Sequence, residues 1–196
     1  MKFIGITGGV GAGKSSVLSI LEKNYNCKIL LADEVAKELM TPGHDTYERV
    51  ILLPWDRKIL NHDGTIDRTQ MAAAMFSNEE MREYVNSIVH PAVEFEVLNQ
   101  VQAAKKDHNI EYFFFEAALL IECGYGKLVD EMWYIYTADE IRRERLKKSR
   151  GYSDKRIDDM MASQRSDSSF RENCQVVIDN SGTEDETFEQ IKKVLG

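Results

Sequence analysis

Gly8-Gly9-Val10-Gly11-Ala12-Gly13-Lys14-Ser15 decides the reading of this chain, because it is a complete G-x-x-x-x-G-K-[ST] loop. The apolar stretch Phe3-Ile4-Gly5-Ile6 precedes it and the helix-compatible Ser16-Val17-Leu18-Ser19-Ile20-Leu21 follows. Strand, loop and helix in that order are the setting this phosphate-binding motif needs. Residues with no Cβ, or only a methyl, let the backbone curl around an anion. The exposed N–H groups and the helix N-terminus then present partial positive charge to phosphate oxygens. Gly9, Gly11, Ala12, Gly13, Lys14, Ser15 and Ser16 are therefore the expected ATP-binding residues. Lys14 is placed to reach the β/γ-phosphates and the Ser15 hydroxyl to ligate Mg²⁺. A flexible glycine turn would explain the glycines but not Gly13-Lys14-Ser15 at this spacing.

Outward from the loop, strand and helix patterns alternate, which predicts an α/β domain with a mostly parallel sheet. Five strands are expected: Lys2–Ile6, Cys27–Leu31, Tyr112–Phe115, Met132–Tyr136 and Gln175–Ile178. Their consecutive apolar residues suit strands covered by helices on both faces, a three-layer arrangement. Ser77…Glu80, Thr137…Glu140 and Thr183…Glu186 each carry the spacing of a capping box and are read as helix starts.

Between the second and third strands, residues 41–110 carry only helical and loop signals. Thr41-Pro42-Gly43 breaks the chain and Asn61-His62-Asp63-Gly64 is a turn. Helical spacing runs through Met81, Tyr84, Val85, Ile88 and Val89, then through Val93, Val97 and Val101. Pro91 either starts a second helix or interrupts a single long one. A helical insertion gripping a second substrate is the natural use of such length; added bulk over the sheet is the bland one. No repeat or linker divides the chain, so one 196-residue domain is expected, with this insertion and a lid over about residues 140–163.

Composition narrows the function classes. Net charge is −8, which argues against nonspecific binding to a nucleic-acid backbone. No run approaches the ~20 apolar residues of a membrane span. Cys27, Cys123 and Cys174 are far apart, with neither a disulfide framework nor zinc-site spacing, and suit a reducing compartment. The strand pattern begins at residue 2, leaving no room for a leader, so a cytoplasmic location is expected.

A phosphate loop alone does not separate kinases from switches and motors. The base-reading Asn/Thr-Lys-x-Asp of guanine switches and the L-S-G-G-Q of transporter ATPases do not occur. Asp33 follows the second strand, and carboxyl ends of strands line the ligand crevice of open parallel sheets. It is read either as a base for an incoming hydroxyl or as an N-cap of helix Glu34–Met40, and position alone leaves both open. Glu116 closes Tyr112-Phe113-Phe114-Phe115, where a P-loop enzyme places an acidic residue that orients Mg²⁺; a strand-end carboxylate facing water is the other reading. Arg142, Arg143, Arg145, Lys147, Lys148, Arg150, Lys155 and Arg156 reverse the charge of the chain, as a kinase lid requires. Most charge runs are solvated helix faces, so only one or two of these are expected on phosphate.

With these features in place the chain resembles the bacterial dephospho-CoA kinases over essentially its whole length. The resemblance rests on Ile4 through Ser15, on Ala32-Asp33-Glu34, and on Asp63-Gly64-Thr65-Ile66-Asp67-Arg68 as D-G-x-x-D-R. It continues through Val89-His90-Pro91, Leu119-Leu120-Ile121-Glu122, Arg145-Leu146, Gln164 and Val176 through Gly182. Ala118 stands where the family has Pro, Glu116 where Asp is usual, Trp55-Asp56 for Phe-Gly and Arg142 for a lid Gln; Ser149-Arg150 displaces a second lid arginine by one position. The resemblance implies ATP-dependent phosphorylation of the ribose 3′-hydroxyl of dephospho-CoA, with Mg²⁺ as cofactor. It implies Asp33, Lys14 and Arg145 in catalysis and Thr7, Asp33, Arg68, His90 and Leu119 around the acceptor. Asn180 is placed at the adenine or as a turn cap, and Ser15 and Glu116 at the metal. His90 reads equally as a structural residue of its helix turn. The alternatives are another small-molecule P-loop kinase and a non-catalytic ATP-binding switch.

Overall fold

The computed structural model describes residues 1–52 and 59–196. The Trp55-Asp56 departure lies outside the described residues. The described chain divides into two compact units, Met1–Leu30 with Ala103–Gly196, and Leu31–Gln102.

The first unit holds the sheet, in the order β2-β3-β1-β4-β5. Strand β1 is Lys2–Thr7, β2 Cys27–Leu31, β3 Tyr112–Glu116, β4 Glu131–Tyr136 and β5 Val176–Asp179. Strand β1 pairs in parallel with β3 on one side and β4 on the other, and β4 pairs in parallel with β5. Phe113, Phe114 and Phe115 are consecutive and all fully buried, so both faces of β3 are covered. Each predicted strand is present, with ends shifted by at most one residue. Leaving β1, the chain enters the phosphate loop and then α1 (Lys14–Asn24), whose Val17, Leu18, Ile20 and Leu21 are buried.

The second unit is helical. It contains α2 (Ala32–Leu39), α3 (Asp45–Ile51), α4 (Arg68–Ser77) and most of α5 (Glu79–Ala104). Helix α5 is a single element with Pro91 inside it, settling the two readings of that proline. Of the positions that carried the helical spacing, Met81, Val85, Ile88, Val89, Val93, Val97 and Val101 are buried, whereas Tyr84 is exposed. An isolated antiparallel bridge, Leu60 to Ile66, closes the predicted turn.

Back in the first unit, α6 (Asp139–Arg150) and α7 (Asp154–Ala162) follow β4 where a lid was expected, and α9 (Glu184–Leu195) follows β5. Helix α8 (Asp167–Asn173) carried no sequence signal strong enough to predict it, although Ser166 caps it by accepting from Ser169 N–H.

Of the three expected capping boxes one forms. The Thr183 hydroxyl accepts from Glu186 N–H while the Glu186 carboxylate accepts from Thr183 N–H. Ser77 instead ends α4, donating to the Ala74 carbonyl, and Asn78 opens α5 by accepting from Met81 N–H. Asn and Ser are near-equal caps, so the stronger geometry decides. Thr137 caps nothing: the N-cap of α6 is Ala138, and the Thr137 hydroxyl donates to the Ala12 carbonyl 2.9 Å away. Helix α2 starts at Ala32, so Asp33 lies inside its first turn rather than at the cap.

Candidate active site

Residues 8–15 form the loop that the sequence promises, and its geometry explains its glycines. Gly11 and Gly13 adopt φ of 76° and 80°, in the left-handed region. A Cβ on Gly13 would also lie 2.3 Å from Asn180 Nδ2. Gly13 is the N-cap of α1, with its carbonyl taken by Ser16 and Val17 N–H, so the loop runs directly into the helix. The N-terminal amides of α1 and the helix dipole therefore stand at the loop. Lys14 Nζ donates to the Gly8 carbonyl at 2.8 Å and lies 3.6 Å from Glu116 Oε1. Strand pairing of Ile6 with Glu116 sets that carboxylate beside the end of β1.

The loop is bolted from behind by residues far away in sequence. Asn180, 5% exposed, donates through Nδ2 to the Ala12 carbonyl at 2.9 Å and the Gly13 carbonyl at 3.4 Å. Its Oδ1 accepts from the Thr187 hydroxyl, fully buried on α9. Thr137 adds its bond to Ala12. The Ala12 carbonyl thus takes donors from both Asn180 and Thr137, so the loop is held by a shared polar network rather than by any one bond. Neither Thr137 nor Thr187 was singled out for this role. A threonine at an inward position of an amphipathic helix is the only trace that Thr187 leaves in the sequence.

The basic run sorts itself by partner. Arg143 and Lys147 pair with Asp158 and Asp154 at 2.5 Å, fastening α6 to α7. Arg156 stacks on the Tyr152 ring at 4.0 Å. Arg145 donates to the Asn180 carbonyl at 2.8 Å, with the Thr137 hydroxyl and Ala12 carbonyl at 3.4 and 3.5 Å. Arg142 donates to the Val10 carbonyl at 2.9 Å. Two guanidinium groups thus rest on the phosphate loop itself.

Among the other expected positions in this unit, Thr7 is buried, its hydroxyl bonded to the Ala118 carbonyl at 3.3 Å. Leu119, in the turn after β3, is 55% exposed.

The second unit has its own cleft, of about 560 Å³, and it brings together Asp33 on α2 and Arg68 at the start of α4. Met40, Ile66, Met71, Met75, Val85 and Val89 supply much of its wall. The D-G-x-x-D-R stretch builds one edge. Asp63 Oδ1 accepts from the amide and hydroxyl of Thr65, bonds that hold its carboxyl below the usual carboxylate range. Asp67 caps α4 by accepting from Thr69 and Gln70 N–H, which sets Arg68 at the first helical position. His90 follows the lining residue Val89 on α5 but does not line the cleft; burial pushes its imidazole pKa down, favouring the neutral form.

A family model described as dephospho-CoA kinase matches residues 2–186. The chain belongs to the dephospho-CoA kinase family. The dephospho-CoA kinase of Carboxydothermus hydrogenoformans is 35% identical over 198 residues, covering 100% of this chain and 93% of the relative. Among solved structures, TT1252 from Thermus thermophilus superposes with a TM-score of 0.82 at 24% identity, covering 99% of this chain and 95% of that one. The dephospho-CoA kinase from Campylobacter jejuni superposes with a TM-score of 0.72 at 23% identity, covering 98% and 94%. These two likenesses carry the fold, and the P-loop kinase architecture expected from the sequence is the one present. Within the family match lie both the bolted loop of the first unit and the Asp33–Arg68 cleft of the second.

Proposed function

We propose that this chain transfers the γ-phosphoryl group of ATP to the ribose 3′-hydroxyl of dephospho-CoA, giving CoA and ADP, the closing step of CoA biosynthesis. The observation that carries the proposal is the family match over residues 2–186, which spans the phosphate loop and the acidic-and-basic cleft alike. Phosphoryl transfer has a loose transition state, so the protein's task is positioning and charge neutralisation. The loop amides and Lys14 bind the donor phosphates. Asp33 takes the proton as the acceptor oxygen bonds to phosphorus and the bond to the ADP oxygen breaks. Arg145 exchanges its present carbonyl partners for oxygens of the transferring group, and Asn180 holds the loop on the nucleotide side. Within the helical unit, Arg68 lines the cleft that receives the acceptor, and His90 beside Val89 supports its wall.

The donor set also fits Mg²⁺. Ser15 and Glu116 offer hard oxygen atoms, and no described cluster of three or more His, Cys, Asp or Glu side chains forms a closed cage. Mg²⁺ prefers such a setting, taking one or two protein oxygens together with substrate phosphates and water. When bound there it would offset charge on the β- and γ-phosphates. Soluble action in the cytoplasm accords with the absence, among the described residues, of any helix long and apolar enough to cross a membrane.

An acceptor panel tests the proposal: ATP with dephospho-CoA, nucleosides, nucleotides and shikimate-like alcohols, followed by phosphorus NMR of the product. Acceptor-dependent ADP release with dephospho-CoA and a 3′-phosphate product is expected. Turnover confined to another alcohol would sink the acceptor assignment, and nucleotide binding without any turnover would make the chain a switch.

A further inference from the structure

Gln164 occupies an unusual place for a side-chain amide. Its single Oε1 accepts from the Val10 N–H of the phosphate loop at 3.2 Å and from Arg142 Nη2 at 2.7 Å. A loop amide and a guanidinium converging on one oxygen are the donors that a phosphoryl oxygen attracts. The pair is also rigidly built. Arg142 is anchored at its other nitrogens, Nε on the Val10 carbonyl at 2.9 Å and Nη1 on Asp139 Oδ1 at 3.2 Å, and its side chain is only 12% exposed. Gly9 makes room for the assembly: a Cβ there would stand 2.4 Å from Arg142 Nη2 and 2.9 Å from Gln164 Oε1.

We infer that Gln164 Oε1 is a neutral stand-in for an oxygen of the terminal phosphoryl group. When the triphosphate binds, that oxygen displaces Gln164 and takes the Val10 N–H and Arg142 Nη2 as its own donors. The inference rests on the kinase reading of the loop and extends it by naming a second lid arginine that touches the nucleotide. The exchange is favourable because a charged acceptor makes shorter and stronger bonds to a guanidinium than an amide oxygen does. Diphosphate lacks the group that performs it, so Gln164 keeps its place when ADP is bound. The arrangement therefore gives the loop a means of telling ATP from ADP.

The test is nucleotide binding by calorimetry to the intact chain, with a non-hydrolysable ATP analogue and with ADP, alongside thermal melts to show that each variant is folded. Arg142→Gln is expected to weaken the triphosphate analogue by about tenfold or more, the size of a lost charged hydrogen bond, and ADP by less than about twofold. Arg142→Lys should recover part of that difference. Gln164→Ala removes the competitor and is expected to raise the preference for the triphosphate. An equal loss for both nucleotides in Arg142→Gln would overturn the inference, leaving Arg142 as a strut. So would a Gln164→Ala variant that loses the triphosphate as Arg142→Gln does. These measurements need no acceptor, so their failure and a failure of the acceptor panel are read separately.

Discussion

The phosphate loop and the cleft of the helical unit are built from opposite materials. At the loop, the buried Asn180 and Thr137 donate to the Ala12 carbonyl, and the buried Thr187 donates in turn to the Asn180 amide oxygen. In the cleft, methionines and aliphatic residues supply much of the wall, with Asp33, Lys37 and Arg68 as charged lining groups. Buried hydrogen bonds specify one geometry, because any departure leaves a polar group unsatisfied. Thioether side chains are unbranched and adaptable, and they conform to whatever fills the space. The difference suits the two substrates proposed above. A triphosphate is the same in every turnover and is met by a rigid cradle, whereas a long, jointed acceptor is met by a wall that adjusts.

Four substitutions test that contrast, in falling order of expected effect. Asp33→Asn should reduce turnover by about two to four orders of magnitude, the usual worth of a general base, with ATP affinity nearly intact. Steady-state kinetics beside direct ATP binding would reveal it, and near-normal turnover would remove the base assignment. Gly13→Ala should damage the rigid side: a residue with φ of 80° and a Cβ 2.3 Å from Asn180 strains the fold by about 1–3 kcal/mol. Melting temperature and nucleotide affinity should fall together. Arg68→Ala, on the adaptable side, should raise the acceptor KM by about tenfold while leaving the ATP KM and melting temperature nearly unchanged. A selective fall in kcat would move Arg68 from binding to chemistry. Thr183→Ala removes the cap of α9 and should cost about 1 kcal/mol of stability with no kinetic effect. If it also weakened nucleotide binding, the loop would prove less rigid than its bonds imply, since Thr187 lies one turn further along the same helix.

The contrast also accounts for what could be read from the sequence. The phosphate loop is local: eight contiguous residues carry the glycines, the lysine and the serine, so the motif is legible wherever it stands. While the edge strands β2 and β5 are only partly buried, the central strands were legible because they are covered on both faces and so read as unbroken apolar runs, as in Phe113-Phe114-Phe115. The bolts behind the loop were not. Thr137-Ala138-Asp139-Glu140 has the spacing of a capping box, yet tertiary structure takes the Thr137 hydroxyl for Ala12. Periodicity reports which face of an element is buried, never which distant carbonyl a buried polar group will meet. Ser77 lost its expected role for a local reason, the better-placed Asn78 beside it. In the cleft, resemblance singled out Arg68, while no motif marked Met40, Met71 or Met75 as its walls, because a methionine pattern is the same for core and for pocket.

The bonds that fix the loop join Ala12 to Thr137, Val10 to Gln164 and Ala12 to Asn180, separations of 125, 154 and 168 residues. Strand β1, centred in the sheet, likewise waits for β3 and β4 on either side. The eight residues of the motif are thus held in shape by partners more than a hundred positions further along the chain. A nascent chain carries all eight residues of its loop long before it carries the partners that bolt them. Contacts of such range carry a large loop-closure cost before they are rewarded, so the fixed cradle belongs to the slow part of folding.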